Sequence, residues 1–199
     1  MCPATADHRV GLVLGAGGSV GIAFHNGVLS GLQAATGWDP ASAEVIVGTS
    51  AGAIAAACVT GGARVAEPPY EQGGVDTPLE PSYARSALLH AARRPWALRP
   101  VALGAALVPP GQGATDYLAK GIDLLPGGEW PWTRPWVCAV RLSDGARVVF
   151  GAAGSPPARL GEAVAASCAV PGRFRPVMIG GRAFGDGGVW SMHNVDVVK

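Results

Sequence analysis

The chain opens with an apolar run, Val10 to Leu14, that breaks into glycine and small residues. An uninterrupted apolar run of this length, closed by Gly15, predicts a fully buried strand. From Gly21, Ile22, Val28, Leu29 and Leu32 recur at helical spacing, and Gly37 suits the end of that helix. EVIVG from Glu44 predicts a second buried strand. The alanine-rich SAGAIAAACV then predicts a helix stopped at Gly61-Gly62. Strand, helix, strand, helix is the opening of an α/β fold with a parallel sheet and right-handed crossovers.

Residues 63–135 lose this regularity. Pro68, Pro69, Pro78, Pro81, Pro95, Pro100, Pro109 and Pro110 punctuate them, around two expected helices at 82–94 and 99–108. The segment reads as a Pro-rich helical insertion or cap on a single domain spanning 1–199. Regular patterning returns with WVCAVRL and RVVFG about the turn Ser143-Asp144-Gly145, an expected hairpin. LGEAVAASCAV predicts a helix stopped by Pro171, and PVMIGGRAFGDGG a short strand pair ending at Asp186.

Composition narrows the classes. Half-apolar and weakly charged, with a formal net charge of +1, the 199-residue chain is globular and carries no field suited to nucleic acid. Its four cysteines, Cys2, Cys58, Cys138 and Cys168, form no C-x-x-C pair and so predict neither a metal knot nor a disulfide framework. The N-terminus has no apolar signal core. The longest apolar stretch, 45–59, is too short and too rich in small residues to span a bilayer. A reduced, cytoplasmic chain is the expectation, with peripheral contact at a membrane surface through Arg93, Arg94 and Arg99 beside Trp96. Ordinary amphipathic-helix packing on the core is the better reading of that stretch, and packing at a loop edge explains Trp130, Trp132 and Trp136.

Two junctions carry candidate chemistry. Gly48-Thr49-Ser50-Ala51-Gly52 is a G-x-S-x-G between an expected strand and an expected helix, the setting of a nucleophile elbow. The glycines clear space, and the helix N-terminus favours negative charge developing at the serine. A serine N-cap is the plainer alternative. The loop Gly15-Ala16-Gly17-Gly18-Ser19-Val20-Gly21 resembles a dinucleotide turn. That reading needs an acid at the end of the next strand, and Asp39 precedes that strand instead. If the two strands are parallel neighbours, the N–H groups of Gly17 and Gly18 join that of Ala51 as an oxyanion hole facing Ser50.

A serine nucleophile needs a base. Asp186 with His193 satisfies the chain order of a hydrolase triad, although only seven residues apart, while Asp186 flanked by Gly185, Gly187 and Gly188 also reads as a simple Asp-Gly turn. His25 and His90 read as structural.

Taken together, GAGGSVG, GTSAG, AASCAVPGRF and GDGG resemble, in order and spacing, the patatin-like phospholipases. The resemblance covers nearly the whole chain, with 63–135 as its variable part. It implies a three-layer α/β/α sandwich with a mostly parallel central sheet. It also implies a Ser–Asp dyad without histidine, Ser50 as nucleophile and Asp186 as base, with Gly17 and Gly18 in the oxyanion loop. The implied activity is hydrolysis of lipid acyl esters through an acyl-serine, with no metal or organic cofactor. Two departures stand out. Val20 occupies the place of a basic residue, and family domains continue with further strand and helix beyond the equivalent of Lys199. They keep open a catalytically weak, lipid-binding homologue, and a nucleotide-binding α/β module remains the third reading.

Overall fold

The computed structural model describes residues 9–63, 111–125 and 134–198, together with Leu89, Ala92, Arg93, Gly104, Val108, Pro109 and Trp130. Most of the helices expected at 82–94 and 99–108, most of the insertion, and His8, His90 and Trp132 lie outside the described residues. In chain order the elements are β1 (Gly11–Leu14), α1 (Gly18–Thr36), β2 (Val45–Thr49), α2 (Ala51–Thr60) and α3 (Asp116–Asp123). There follow β3 (Trp136–Arg141), β4 (Arg147–Phe150), α4 (Leu160–Ser167), β5 (Val177–Ile179) and β6 (Arg182–Asp186).

The fold is α/β, and its six-stranded sheet is mixed. β1, β2 and β3 are parallel, as the alternation of strand and helix predicts, whereas β4 and β6 run antiparallel to β3, and β5 antiparallel to β6. Short hairpin turns dictate the change. Gly145 (φ 68°) closes β3 onto β4, and Gly180-Gly181 (φ 54° and 73°) close β5 onto β6 with the paired positive φ angles of a tight hairpin.

The arrangement about β3 positions everything that follows. A strand has two hydrogen-bonding edges, and β4 takes one from Val137 to Val140. β2 and β6 therefore share the other. β2 arrives parallel and ends with Thr49 opposite Cys138. β6 arrives antiparallel and ends with Asp186 opposite Ala139. Their C-terminal ends thus meet head to head, separated by one residue's rise along β3, roughly 3.3 Å.

Packing explains the small residues. Ala51 to Cys58 of α2 are all buried, and the helix packs on β1 and β2. A Cβ on Gly52 would strike the Leu14 carbonyl, and one on Gly48 would come within 2.5 Å of Ala53 Cα. Phe150 and Phe184, both fully buried, meet edge to face at 5.2 Å, between centroids, in the core with Ile46, Val137, Val140 and Val164.

Four elements differ from expectation. β1 is not fully buried: it lies at the end of the sheet order, starts at Gly11 and buries only Leu14, with Val10 and Gly11 exposed. α1 begins at Gly18, not Gly21, and buries Ile22, His25 and Leu29, leaving Val28 and Leu32 exposed. A hydrogen-bonded histidine occupies the inward row, which an apolar count cannot see. α4 ends at Ser167 rather than running to Pro171, because the Ala169 carbonyl accepts the Asp186 N–H (2.9 Å) and holds 168–170 against β6. α3 was not expected. Its signals are short ones: Asp116 in the first turn, Lys120 in the last, and buried Leu118 and Ile122 one turn apart. Of the tryptophans, Trp130 donates its indole N–H to the Pro135 carbonyl (3.1 Å) and Trp136 is half-buried in β3. Among the described residues, no helix is long and apolar enough to cross a membrane.

Candidate active site

Ser50 joins β2 to α2 with φ 53° and ψ −120°, a left-handed conformation that costs a non-glycine residue about 1–3 kcal/mol. Its backbone is held on both sides. The Ser50 N–H donates to Ser167 Oγ (2.9 Å), whose own hydroxyl donates to the Cys138 carbonyl (2.6 Å), and the Ser50 carbonyl accepts the Ala53 N–H (2.8 Å). Although Ser50 occupies the N-cap position, its side chain makes no capping hydrogen bond. The hydroxyl is instead close enough to the Asp186 carboxylate and the Cys168 thiol to lower the pKa of each. This is the arrangement an elbow produces and an ordinary cap does not.

Asp186 is buried, with 4% of its surface exposed. Its Oδ1 accepts the Gly188 N–H at 2.6 Å, so the Asp-Gly turn and the contact with Ser50 coexist in one residue. Gly187 has no room for a side chain, since a Cβ would strike the Cys138 carbonyl. Burial pushes the Asp186 carboxyl up from its ordinary 3.8 to about 6, against the lowering effect of the Gly188 and Ser50 hydrogen bonds. A carboxylate with that pKa is still ionised at neutral pH, and it only accepts, so the Ser50 hydroxyl is the donor. Burial, with Asp186 nearby, raises the Cys168 thiol well above its usual range and keeps it neutral.

His193 is exposed, and among the described residues it makes no hydrogen bond to Asp186. Its ring packs instead against the glycine loop, where a Cβ on Gly15 would come within 2.8 Å of it. Asn194 is the buried partner sequence reasoning missed. Its Nδ2 donates to Thr49 Oγ1 (3.0 Å) and to the Ser191 carbonyl (2.7 Å), tying the end of β2 to the chain beyond β6. Ser167 and Cys168 were likewise missed, although both lie within the AASCAV stretch. Neither a lone serine nor a lone cysteine signals which backbone it will meet.

The glycine loop divides its work. Gly18 has φ +58° and a Cβ there would meet nothing, so its backbone conformation, together with an open approach, favours glycine. It lines a cavity with Ser19, Ile22, Ser50 and Ala51. Gly17 is not in that lining. Its φ of 176° suits any residue, and glycine is required there because a Cβ would sit 2.7 Å from Gly21 Cα. Gly21 in turn faces the Ala51 methyl at 3.2 Å, reckoned from its own added Cβ. The His25 ring lies behind the loop. Because the Gly15 carbonyl only accepts, Nε2 carries the proton in that 2.8 Å bond. Val20 is 82% exposed and outside the cavity lining.

The first turns of α1 and α2 both leave N–H groups without helical acceptors, and both helices begin at this cavity. Their aligned dipoles favour a negative charge between them, beside the Ser50 hydroxyl. The arrangement can therefore take a proton from a serine and stabilise an oxyanion next to it. Asp39, the acid that a ribose would need, is spent locally: its carboxylate accepts the Ala41 N–H at 2.9 Å. Among the described residues, no three His, Cys, Asp or Glu side chains are grouped to hold a metal ion.

Compared with known proteins, residues 12–199 match the family model described as Patatin-like phospholipase. No curated protein matches the chain.

Proposed function

Because the chain belongs to the patatin-like phospholipase family, a family of lipid acyl hydrolases, we propose that it cleaves lipid carboxylic esters through an acyl-Ser50 intermediate with Asp186 as general base. The observation that carries this reading is the approach of the buried Asp186 carboxylate to Ser50, where the ends of β2 and β6 meet on β3 at the edge of a largely apolar cavity.

In the first step Ser50 Oγ attacks the ester carbonyl and Asp186 takes its proton. The carbonyl oxygen, now negative, is stabilised by the N–H groups of Gly18 and Ala51, with Gly17 adjoining them. A single such donor is typically worth about 3 kcal/mol. Collapse of this intermediate expels the alcohol, which takes the proton from Asp186. Water then attacks the acyl-Ser50 carbonyl, giving its proton to the Asp186 carboxylate. The proton returns to Ser50 Oγ as the fatty acid leaves. No step calls on a histidine, a metal or a cofactor.

The two-residue relay suits a carboxylate whose burial has raised its basicity, since a base with a pKa near the working pH transfers protons most effectively. Residues 63–135 are a variable insertion within the same single domain, and the chain works in the cytoplasm with peripheral contact at a membrane surface. A fluorophosphonate probe tests the nucleophile directly. It should label the wild type on Ser50 and leave Ser50→Ala unlabelled. Labelling retained in Ser50→Ala would overturn the assignment.

A further inference from the structure

The cavity beside Ser50 is lined mainly by apolar side chains, among them Ile22, Ile54, Leu118, Val170 and Phe174. Arg173 is the one charged residue in that lining. The sequence places it in PGRF, directly after the turn that leaves α4. Its backbone is pinned: the N–H donates to the Val170 carbonyl (3.1 Å) and its carbonyl accepts the Gly113 N–H (3.1 Å). Its guanidinium lies over the Phe174 ring, 5.4 Å from the centroid. Among the described residues no acidic side chain forms an ion pair with it.

These features set the sign of the field at the mouth. Two helix N-termini contribute partial positive charge, Arg173 adds a full one, and no carboxylate in the lining offsets them. Asp186 is not in the lining; it is buried and accepts the Gly188 N–H. Among the described lining residues an ammonium headgroup meets no carboxylate, whereas a phosphate meets the planar donor fork of Arg173 above the Phe174 ring.

We propose that Arg173 is a specificity-determining residue that makes the site select esters with a net anionic phosphate headgroup over zwitterionic and neutral ones. This rests on the acyl-hydrolase reading above and deepens it. The recognised chemistry is the phosphate itself, carried by the substrate's headgroup rather than bound as the free ion.

The test uses short-chain monomeric substrates with identical acyl groups: dihexanoyl phosphatidic acid, dihexanoyl phosphatidylcholine and dihexanoylglycerol. Wild type should turn over the phosphatidic acid with a kcat/KM at least tenfold above the other two. Arg173→Gln should erase that preference by raising KM most for phosphatidic acid and less for phosphatidylcholine, with kcat and the phosphate-free dihexanoylglycerol within about twofold. Arg173→Lys should restore part of it. No preference in wild type, or a preference that survives Arg173→Gln, overturns the proposal. A second arm measures binding of phosphatidic acid and of inorganic phosphate to Ser50→Ala, with and without Arg173→Gln, by calorimetry. Phosphatidic acid should bind at least tenfold more weakly once Arg173 is replaced. Equal affinity for inorganic phosphate would mark a free-phosphate site and sink the headgroup assignment. If no ester is hydrolysed yet this Arg173-dependent binding persists, the hydrolase reading falls and the Arg173 assignment stands.

Discussion

Replacing Asp186 with asparagine should make the protein more stable at alkaline pH while disabling it. In the fold, burial raises the carboxyl from 3.8 to about 6, a rise worth about 3 kcal/mol at about 1.36 kcal/mol per pH unit. Below pH 3.8 the group is protonated in both the folded and the unfolded chain, and it imposes no penalty. As pH climbs through the folded value of about 6, the unfolded chain has already ionised and the fold must hold a buried charge. The contribution present in acid is therefore lost above that point. The asparagine side chain mimics the neutral acid in shape, keeps an oxygen for the Gly188 N–H, and carries no charge at any pH. At pH 8 the variant should then gain up to about 3 kcal/mol. For a chain of this length that is a melting temperature higher by about 6–12 °C. At pH 4 the gain should nearly vanish. Thermal unfolding followed by circular dichroism at pH 4, 6 and 8 measures the difference. An unchanged or lower melting temperature at pH 8, or the same rise at pH 4, would refute the claim that the fold strains to hold this carboxylate.

The same titration sets the rate. The carboxylate must be ionised to accept the serine proton, so kcat/KM for p-nitrophenyl butyrate should rise with pH about an apparent pKa near 6 and level off in mild alkali; a profile flat from pH 5 to 8 would contradict it. Gly18→Ala adds a Cβ that meets nothing in the fold but forces a residue at φ +58°. It should lower turnover about a hundredfold while costing only about 1–2 kcal/mol of stability, and an activity loss no greater than the unfolding loss would make the loop purely structural. Ser167→Ala leaves the buried Ser50 N–H without its acceptor, which should cost about 1–3 kcal/mol in a denaturant melt and lower kcat with little change in KM.

What could be read from sequence followed what is local. The strand-to-helix junction at Ser50, the hairpin turn at Ser143-Asp144-Gly145 and the buried run of β2 each depend on residues within a few positions of one another, and all form where they were expected. The candidate pair itself depends on something else. Ser50 and Asp186 meet because β2 and β6 share one edge of β3 from opposite directions. No periodicity within either strand encodes that, and the link came only through the family resemblance. The same limit hid Ser167 and Asn194, whose partners lie 117 and 145 residues away. It also placed Gly17 and Gly18 in one role, when only Gly18 borders the cavity. The inward row of α1 was misjudged because His25 is buried by virtue of a single hydrogen bond to the Gly15 carbonyl, a property of the loop and not of the helix pattern.

The central claim is that a carboxylate alone activates Ser50, and one pair of variants tests it most directly. Asp186→Asn keeps the shape of the site but cannot take the serine proton, so hydrolysis of p-nitrophenyl butyrate at pH 8 should fall by at least a thousandfold in a folded protein. His193→Ala removes an exposed ring that packs on the glycine loop, and it should retain at least a third of wild-type turnover. A serine–histidine–aspartate relay predicts instead that both variants are crippled. A loss in His193→Ala as deep as that in Asp186→Asn, with both proteins folded at the assay temperature, would contradict the two-residue account.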